Sequence, residues 1–365
     1  MEKNRRKILY LEPFAGGSHK DFARGITGFT RHEITLVTMP ARFWKWRMRG
    51  AALHFYRTVK NPEDYDLIFT SDMMSFSDLK ALWGSRCPKG VVYFHENQLS
   101  YPLPAGEKMD YQFGFTDITT CLTADRIIFN SRFHRNAFLD HLPGFIRKMP
   151  EFRPVWIQEI IERKSTVIHP GIHVPPPEYE LPDQNEPEPF IVWNHRWEFD
   201  KKPEVFFRVL FRLAGEGIPF RVAVLGENFQ KVPKPFLKAK ERLAGRIVHY
   251  GYVEDRDEYE KWLLRGNIVI STAVQENFGI SVAEAAAFGC RPLVPFRLSY
   301  PELIPEEYHR DCLYRNEDDL YRRLRALCLA ETLDPPEGLP ARMRLHSWSL
   351  RIREFDKFFT GAAGL

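Results

Sequence analysis

The sequence predicts an α/β protein with two Rossmann-like domains, each built on a parallel sheet. Short β-branched or aromatic runs alternate with longer helical patterns in both halves of the chain, which is typical of βαβ units. The chain has 365 residues, 44% of them hydrophobic, and a domain spans roughly 100–200 residues. Since ligands of open α/β sheets bind beyond the carboxyl ends of the strands, motifs that follow strands are the candidates for function.

The apolar runs place the strands of both sheets. In the first half they are 8–11, 34–37, 67–69, 91–94, 127–129 and 167–168. In the second half they are 190–193, 220–224, 246–248, 267–270 and 292–294. A helical segment follows each of the strands in the second half, so the alternation resumes there.

A stretch rich in proline and acidic residues separates the two halves. Its composition cannot build a core, so 173–189 is predicted to be an extended linker. The N-terminal domain is then expected at 1–172 and the C-terminal domain at 190–345. Residues 346–365 are predicted to form a C-terminal helix that returns to the N-terminal domain.

Composition limits the cellular setting. No apolar stretch approaches the ~18 residues of a membrane span, and the basic N-terminus runs directly into a strand. We therefore expect a cytoplasmic protein without integral membrane association. The 5 cysteines lack any Cys-x-x-Cys pair, which predicts free, buried thiols. A net charge of +4 says little about nucleic acid by itself.

Two glutamates, Glu276 and Glu284, flank the start of a predicted helix, 280–288. A helix that opens after Gly279 presents unpaired backbone N–H groups and a partial positive charge, which suit a phosphate. Glu276 can then accept hydrogen bonds from sugar hydroxyls, and Glu284, about one turn into the helix, can hold a second polyol such as a ribose. The alternative is that Glu276 caps the helix and Glu284 is a solvated helix residue.

Two cations follow the first strand of the second half. Arg196 offers a planar fork and Lys201 a point charge, so together they can clamp a diphosphate and offset the charge that develops on it. A surface ion pair with Glu198 or Asp200 is the alternative.

Polar motifs also follow strands of the first half. Gly16 and Gly17 come after the first strand, where glycine lets the backbone approach a ligand. The side chains of 95–98 follow the strand that ends at Phe94, and they are predicted to orient a polyol hydroxyl. These residues are His95, Glu96, Asn97 and Gln98. The alternative is that one or two of them cap the next segment.

A basic and aromatic segment spans 41–60, with six Lys or Arg and no acidic residue. Cations interleaved with aromatic rings can neutralise phosphates and stack unpaired bases, so this segment is predicted to bind RNA. The candidate residues are Arg42, Lys45, Trp46, Arg47 and Arg49. Two alternatives are an amphipathic helix with Trp44 or Trp46 in the core and a helix on a membrane surface.

These motifs together resemble the retaining GT-B glycosyltransferases, whose two Rossmann-like domains face a central cleft. The resemblance rests on Glu276 and Glu284 with Phe278-Gly279 between them, on Arg196 and Lys201, on Gly16-Gly17, and on 169–172 (HPGI). It implies that Glu276 contacts the donor sugar, Glu284 the ribose, and Arg196 and Lys201 the diphosphate. It also assigns donor contacts to Tyr252, Asn277, Phe278, Gly279 and Ile280. No metal is expected, because the cations and the helix start supply the electrostatic stabilisation.

A closer resemblance covers nearly the whole chain and points to the tRNA-queuosine α-mannosyltransferase family. Its motifs are 12–19 (EPFAGGSH), 39–42 (MPAR) with Trp46, 94–102 (FHENQLSYP), 129–131 (FNS) and 193–198 (WNHRWE). The family implies GDP-mannose as donor, held by the C-terminal domain, and the cyclopentenediol of queuosine in tRNA as acceptor, held by the N-terminal domain. Glu276, His95, Arg196 and Lys201 would then carry catalysis.

Two other functions remain open. The first is a GT-B mannosyl- or glucosyltransferase with a lipid-linked or polysaccharide acceptor, and the second is a non-catalytic RNA-binding protein on a transferase scaffold. One motif favours neither: Asp255-Arg256-Asp257 has the Asp-x-Asp form that holds a metal in a different glycosyltransferase fold. Here it opens a predicted helix, 255–265, where acidic caps are expected.

Overall fold

The computed structural model describes residues 5–104, 106–176, 188–227 and 232–364. They fall into two compact units, the first made of Met1–Gly171 with Trp348–Leu365 and the second of Ile172–Ser347. Most of the predicted linker, 177–187, lies outside the described residues.

The first unit is built on a six-stranded parallel sheet in the order β2-β1-β3-β4-β5-β6. Its strands are β1 Lys7–Ala15, β2 Glu33–Pro40, β3 Leu67–Ser71, β4 Lys89–Phe94, β5 Arg126–Phe129 and β6 Ser165–Val167. Its helices are α1 Gly17–Phe29, α2 Trp44–Thr58, α3 Phe76–Trp83, α4 Tyr111–Thr123, α5 Arg132–Arg147 and α6 Ile157–Lys164. Because side chains alternate along a strand, Leu9 and Ile8 of β1 enter separate cores on opposite faces of the sheet.

The second unit repeats this plan, with a parallel sheet in the order β12-β11-β10-β7-β8-β9. Its strands are β7 Phe190–Trp193, β8 Arg221–Val224, β9 Ile247–Tyr250, β10 Ile268–Ile270, β11 Arg291–Pro295 and β12 Leu313–Tyr314. Its helices are α7 Pro203–Gly215, α8 Lys234–Arg242, α9 Arg256–Arg265, α10 Ile280–Ala287, α11 Tyr300–Leu303, α12 His309–Cys312, α13 Glu317–Cys328 and α14 Leu339–Arg344. The edge strand β12 was not predicted, since two residues are too few to show a periodicity.

A last helix, α15 (Trp348–Ala363), packs on the first unit. The Trp348 ring lies against two glycines, and a Cβ on Gly25 or Gly171 would come within 2.0 or 2.2 Å of it. Phe355 and Phe359 enter the same core. The helix therefore completes the core of the first unit from the far end of the chain.

All five cysteines are free thiols, and four of them are buried, as predicted. Cys87 is only partly buried, because it lies in the turn that precedes β4. No helix in the described part of the chain is long and apolar enough to cross a membrane.

Candidate active site

The loop between β10 and α10 has the geometry that its sequence predicts. Gly279 adopts a φ of 99°, which favours glycine, and the helix begins at Ile280. Glu276 Oε1 accepts a hydrogen bond from the Gly279 N–H at 3.1 Å. Capping by Glu276, foreseen as an alternative, thus does occur. It uses one carboxylate oxygen and leaves the other for a second role.

That second oxygen contacts Lys201, which follows β7 in a 3-10 turn and is buried. Lys201 Nζ lies 3.3 Å from Glu276 Oε2 and 3.2 Å from Asp200 Oδ2, and it donates to the Gln275 carbonyl at 2.8 Å. Burial alone would lower the pKa of Lys201, but the Glu276 and Asp200 carboxylates outweigh it and raise that pKa. Burial likewise opposes ionisation of Glu276, yet Lys201 lowers its pKa. Both groups are therefore charged at neutral pH.

Arg196 lies after the same strand and keeps nearly half of its side chain in solvent. Its guanidinium is 3.5 Å from Glu198, so the predicted alternative, a surface ion pair, also exists. The charge of Arg196 nevertheless acts on the pKa of both Lys201 and Glu276. The structure thus brings Arg196, Lys201 and Glu276 together at the start of α10, as the sequence predicted.

His195 was not predicted as part of this group. Its Nε2 lies 3.2 Å from the carbonyl of Ile270, so this nitrogen carries the proton and Nδ1 accepts from the Ser281 hydroxyl at 3.2 Å. Burial, aided by the Lys201 charge, lowers the pKa of His195 to about 4. A neutral imidazole therefore ties β10 to the first turn of α10.

Glu284 is buried inside the second unit, so the alternative of a solvated helix residue is wrong. It accepts a hydrogen bond from the His173 N–H at 3.2 Å and another from Arg256 at 3.2 Å. Burial opposes the charge on Arg256, but Glu284, Glu260 and Tyr259 together outweigh burial and raise the pKa of Arg256. An ion pair thus holds Glu284 in place. Its predicted contact with a ribose remains a prediction.

Asp255 precedes this arginine and caps α9, accepting a hydrogen bond from the Glu258 N–H at 2.8 Å. The structural interpretation of the Asp-x-Asp motif is thereby confirmed. The role of Arg256 was not predicted, because its partner Glu284 lies 28 residues away in sequence.

The remaining donor candidates offer mainly backbone. Asn277 is buried and accepts from the Gln275 amide at 3.1 Å, and Phe278 packs in the core against His346. Ile280 is half-buried. Tyr252 is about half-exposed and follows Gly251, whose φ is 136°. A ligand at this loop would therefore meet N–H groups rather than the side chains of Asn277 and Phe278.

In the first unit, the two glycines after β1 differ in what requires them. Gly17 has a φ of 49°, a left-handed conformation. Gly16 is extended, and a Cβ there would lie 2.4 Å from the Cβ of Ala41. Packing against Ala41 thus explains Gly16, and the predicted ligand contact of the pair remains a prediction.

His95 lies in a cluster of buried ionisable groups at the carboxyl ends of β1, β3 and β4. His19 Nδ1 is 3.2 Å from Glu12 Oε1, and the His19 and His95 ring centroids are 4.0 Å apart. Burial lowers the pKa of His19, but Glu12 and the other nearby carboxylates raise it overall. Burial and then the charge of His19 lower the pKa of His95 far below its usual value. The His19 ring, whose pKa is raised, therefore packs at an interplanar angle of 34° against a neutral His95 ring.

Two carboxylates of this cluster, Glu12 and Asp72, accept further hydrogen bonds from the protein. Glu12 also accepts from the Phe14 N–H at 2.9 Å and from the Ser71 hydroxyl at 3.1 Å. Asp72 accepts from the His95 N–H at 2.8 Å, and burial raises its pKa to about 7. The ligand atoms of Glu12, His19 and His95 lie within 4.8 Å of one another, a spacing that would also suit a metal ion. Protein donors already occupy the Glu12 carboxylate.

The motif after His95 does not behave as one group. Asn97 is fully buried, and its Oδ1 accepts from the Leu99 and Ser100 N–H groups at 3.0 and 2.9 Å. The side chain of Asn97 therefore holds the turn, and its predicted contact with substrate remains a prediction. Glu96 and Gln98 are half-buried and stay candidates.

The basic and aromatic segment forms α2, with Trp46 75% exposed. Trp44 is half-buried against Phe113, with ring centroids 5.1 Å apart. The core alternative thus applies partly to Trp44 and not to Trp46. Arg47 and Arg49 donate to neutral oxygens, the Pro40 carbonyl and the Gln112 amide. Within the described residues, neither they nor Arg42 and Lys45 form an ion pair.

Residues 7–172 match the family described as tRNA-queuosine alpha-mannosyltransferase N-terminal, and residues 180–333 match glycosyl transferases group 1. A tRNA-queuosine alpha-mannosyltransferase of Drosophila melanogaster is 38% identical over 332 residues, which cover 88% of this chain and 86% of the relative. The chain belongs to the tRNA-queuosine alpha-mannosyltransferase family. It is a glycosyltransferase.

Solved structures agree with the family at the level of fold. Anabaena HepE in complex with UDP and glucose superposes with a TM-score of 0.67 at 12% identity, covering 97% of this chain and 99% of HepE. Sucrose-phosphate synthase of Thermosynechococcus elongatus superposes with a TM-score of 0.70 at 12% identity, covering 97% and 98%. At such low identity these matches show the fold alone. They confirm the predicted GT-B class of two Rossmann-like domains.

Two carboxylates of the cluster around His95 were not predicted from the sequence. Glu12 lies near the end of β1 and Asp72 comes directly after β3. Polar residues at the carboxyl ends of parallel strands are a recognisable signal, which could have identified both.

Proposed function

We propose that the protein transfers mannose, with retention of configuration, from GDP-mannose to the cyclopentenediol of queuosine in tRNA. The buried Lys201–Glu276 pair at the N-terminus of α10 is the observation that carries this proposal. A fixed cation, a carboxylate and a helix start together suit a sugar diphosphate, whose phosphates are anionic and whose sugar carries hydroxyl donors. Family membership supplies the choice of mannose and of tRNA.

On the donor side, each group has one proposed task. The N–H groups of the first turn of α10 and the half-exposed Arg196 bind the diphosphate. Lys201, which contacts Glu276, adds positive charge to the site. Glu276 orients the mannose, and Glu284, fixed by Arg256, binds the ribose. Tyr252 lies beside the guanine base.

Retention follows from the face of attack. A queuosine hydroxyl attacks the anomeric carbon on the face that the diphosphate leaves, and the new C–O bond forms on that face as the old one breaks. The hydroxyl proton passes to the departing phosphate oxygen, which becomes more basic as its bond breaks. Arg196, Lys201 and the helix start stabilise the charge that collects there.

On the acceptor side, the neutral His95 hydrogen-bonds the reacting hydroxyl or the sugar, and Glu96 and Gln98 flank it. The cations of α2 hold phosphates of the tRNA. A cytoplasmic location belongs to the same proposal.

Labelled GDP-mannose, incubated with tRNA that carries or lacks queuosine, tests the proposal. We expect label only in queuosine-containing tRNA, and α-mannosidase should release it. Label in lipid or polysaccharide extracts but not in tRNA would instead support the alternative acceptors. Failure to bind GDP-mannose would support the non-catalytic alternative.

The proposed chemistry needs no metal, because protein cations take that role. Transfer should therefore proceed at an unchanged rate after treatment with EDTA. A loss of activity that Mg²⁺, Mn²⁺ or Zn²⁺ restores would overturn this part of the proposal.

A further inference from the structure

The loop that follows α5 exposes apolar side chains that the proposed reaction does not use. Phe152 is 84% exposed, Val155 76% and Trp156 56%. Arg153 lies among them, and Arg147 and Lys148 precede them. Three large apolar side chains are thus exposed within five residues, and exposed apolar patches of this kind mark interaction sites.

The backbone of this loop is strained at one residue. Phe152 has a φ of 50°, in the left-handed region that non-glycine residues rarely adopt. Phe43, the residue before α2, repeats this combination, with a φ of 52° and 74% exposure. In both places a ring is held in solvent by an unfavourable backbone, which is typical of residues kept for binding.

The first turn of α4 connects the loop to α2. The Tyr111 ring lies 5.9 Å from the ring of Phe145, and Lys148 Nζ lies 5.5 Å above Tyr111. The next residue, Gln112, accepts a hydrogen bond from Arg49 at 2.8 Å. Tyr111 is itself about half-exposed. Aromatic and basic groups therefore continue from α2 across α4 to the end of α5.

The charge of this surface is positive. Segments 42–49, 109–113 and 145–156 contain seven basic side chains and two acidic ones, Asp110 and Glu151. Asp110 caps α4, accepting a hydrogen bond from the Gln112 N–H at 3.0 Å. Arg147, Lys148 and Arg153 form no ion pair with any described residue. Their charges stay available to an anionic partner.

We propose that the loop 149–156 is a second contact for the RNA, in which Phe152 and Trp156 stack on unpaired bases of the anticodon loop. Base stacking on aromatic rings, with arginines nearby for phosphates, is how proteins hold single strands. A membrane is the less suitable partner, because the apolar groups alternate with Arg153, Pro154 and Glu151 in an irregular segment rather than forming one helical face. The inference rests on the proposed function, since it takes tRNA as the acceptor.

The test uses the full chain and a fluorescein-labelled anticodon stem-loop that carries queuosine, with binding measured by anisotropy. The double variant Phe152→Ser/Trp156→Ser should weaken RNA binding about 10- to 100-fold and raise the KM for tRNA similarly. The affinity for GDP and the thermal midpoint should stay unchanged. Trp156→Phe keeps a ring and should retain most of the affinity. Phe29→Ser removes a comparably exposed ring at the end of α1 and serves as control.

The outcomes separate this inference from the proposed function. RNA affinity equal to that of the unmodified chain in the double variant would overturn the inference, as would absence of stem-loop binding by the unmodified chain. If the double variant bound RNA normally but bound vesicles of phosphatidylserine and phosphatidylcholine more weakly, the inference would be overturned in favour of a membrane contact. If the unmodified chain binds the stem-loop without transferring mannose, the proposed reaction fails, while the double variant still decides the stacking role.

Discussion

Lys201 lies between two carboxylates, and the resulting excess of negative charge affects how the site can bind a ligand. Asp200 and Glu276 together carry one negative charge more than the ammonium can neutralise. The start of α10 and the half-exposed Arg196 supply the remaining positive potential. A bound diphosphate would thus meet a site that is already polarised and that need not reorganise during the reaction, which is the arrangement that stabilises developing charge most effectively.

Replacing Lys201 by methionine should be costly, because it leaves the buried Asp200 and Glu276 carboxylates without their cation. We expect the free energy of unfolding to fall by about 3–5 kcal/mol, as measured by urea denaturation, and transfer to be lost. Adding Glu276→Gln to Lys201→Met should restore part of that stability but none of the activity. If the two substitutions were additive in stability, the pair would not be coupled in the way described.

Glu276→Gln alone separates capping from charge. Glutamine can still accept the Gly279 hydrogen bond, but it cannot pair with Lys201 as an anion. We therefore expect the turnover number to fall at least 100-fold, an order of magnitude typical for loss of an electrostatic group, with the protein still folded by circular dichroism. Turnover within a few-fold of the unmodified enzyme would remove Glu276 from the catalytic assignment.

His134 makes stability depend on pH. Burial lowers its pKa to about 3. Asn130, whose amide donates to the His95 carbonyl, accepts from His134 Nδ1 at 2.8 Å and so selects the tautomer with its proton on Nδ1. As pH falls below about 6.5, His134 takes up a proton in the unfolded chain but stays neutral in the folded chain. The stabilisation is therefore complete above pH 6.5 and is lost progressively toward pH 3.

The measurement is the slope of unfolding free energy against pH. Between pH 6 and 4.5, His134→Gln should reduce that slope by about 1.4 kcal/mol per pH unit, the value expected when unfolding takes up one proton. Asp72 acts in the opposite direction, because its raised pKa, about 7, stabilises the fold at low pH and ceases to do so as pH rises. Asp72 contributes equally to the unsubstituted protein and to His134→Gln, so the difference between their slopes does not contain its effect. Identical slopes would contradict a buried neutral His134.

At the level of whole elements, the sequence predicted what local chemistry determines. The helix α10 was predictable because Gly279 and Gly289 delimit it. Strand β4 was predictable because a short run of β-branched and aromatic residues favours a buried strand. The Arg256–Glu284 pair was not predictable, since only the fold brings α9 against α10. The burial of Asn97 was unpredictable too, because polarity in sequence does not reveal that a side chain is buried in its own turn.

Gly279→Ala tests whether the conformation at the start of α10 matters. Alanine is strained at a φ of 99°, and its Cβ would lie 3.1 Å from Leu303 and 3.3 Å from Tyr300. We expect a loss of about 1–3 kcal/mol in unfolding free energy and weaker binding of GDP by calorimetry. Gly215→Ala, at the end of α7 with open space around it, is the matched control and should be neutral or slightly stabilising. Equal effects of the two substitutions would deny any special role to Gly279.

The chain leaves the first unit after Gly171 and re-enters it at Trp348, so that unit is discontinuous in sequence while the second is continuous. Within the second unit, Ile172 pairs with Ser347 in a β-bridge and donates to the His346 carbonyl at 2.9 Å, which brings its two ends together. Within the first, Trp348 packs on Gly171. Each unit therefore has adjacent ends at the points where the chain passes to the other.

This arrangement predicts which fragments fold. Residues 1–171 alone should not, because loss of α15 uncovers Phe22 and Phe69 and removes Trp348, whose truncation alone would cost about 3–5 kcal/mol. The same residues joined through a short Gly-Ser linker to 348–365 should fold, since Gly171 already contacts Trp348. Cooperative thermal unfolding followed by circular dichroism distinguishes the two fragments. In the joined fragment, Trp348→Ala should abolish the cooperative transition, whereas a fragment 1–171 that unfolds cooperatively by itself would show that α15 covers this core without being needed to form it.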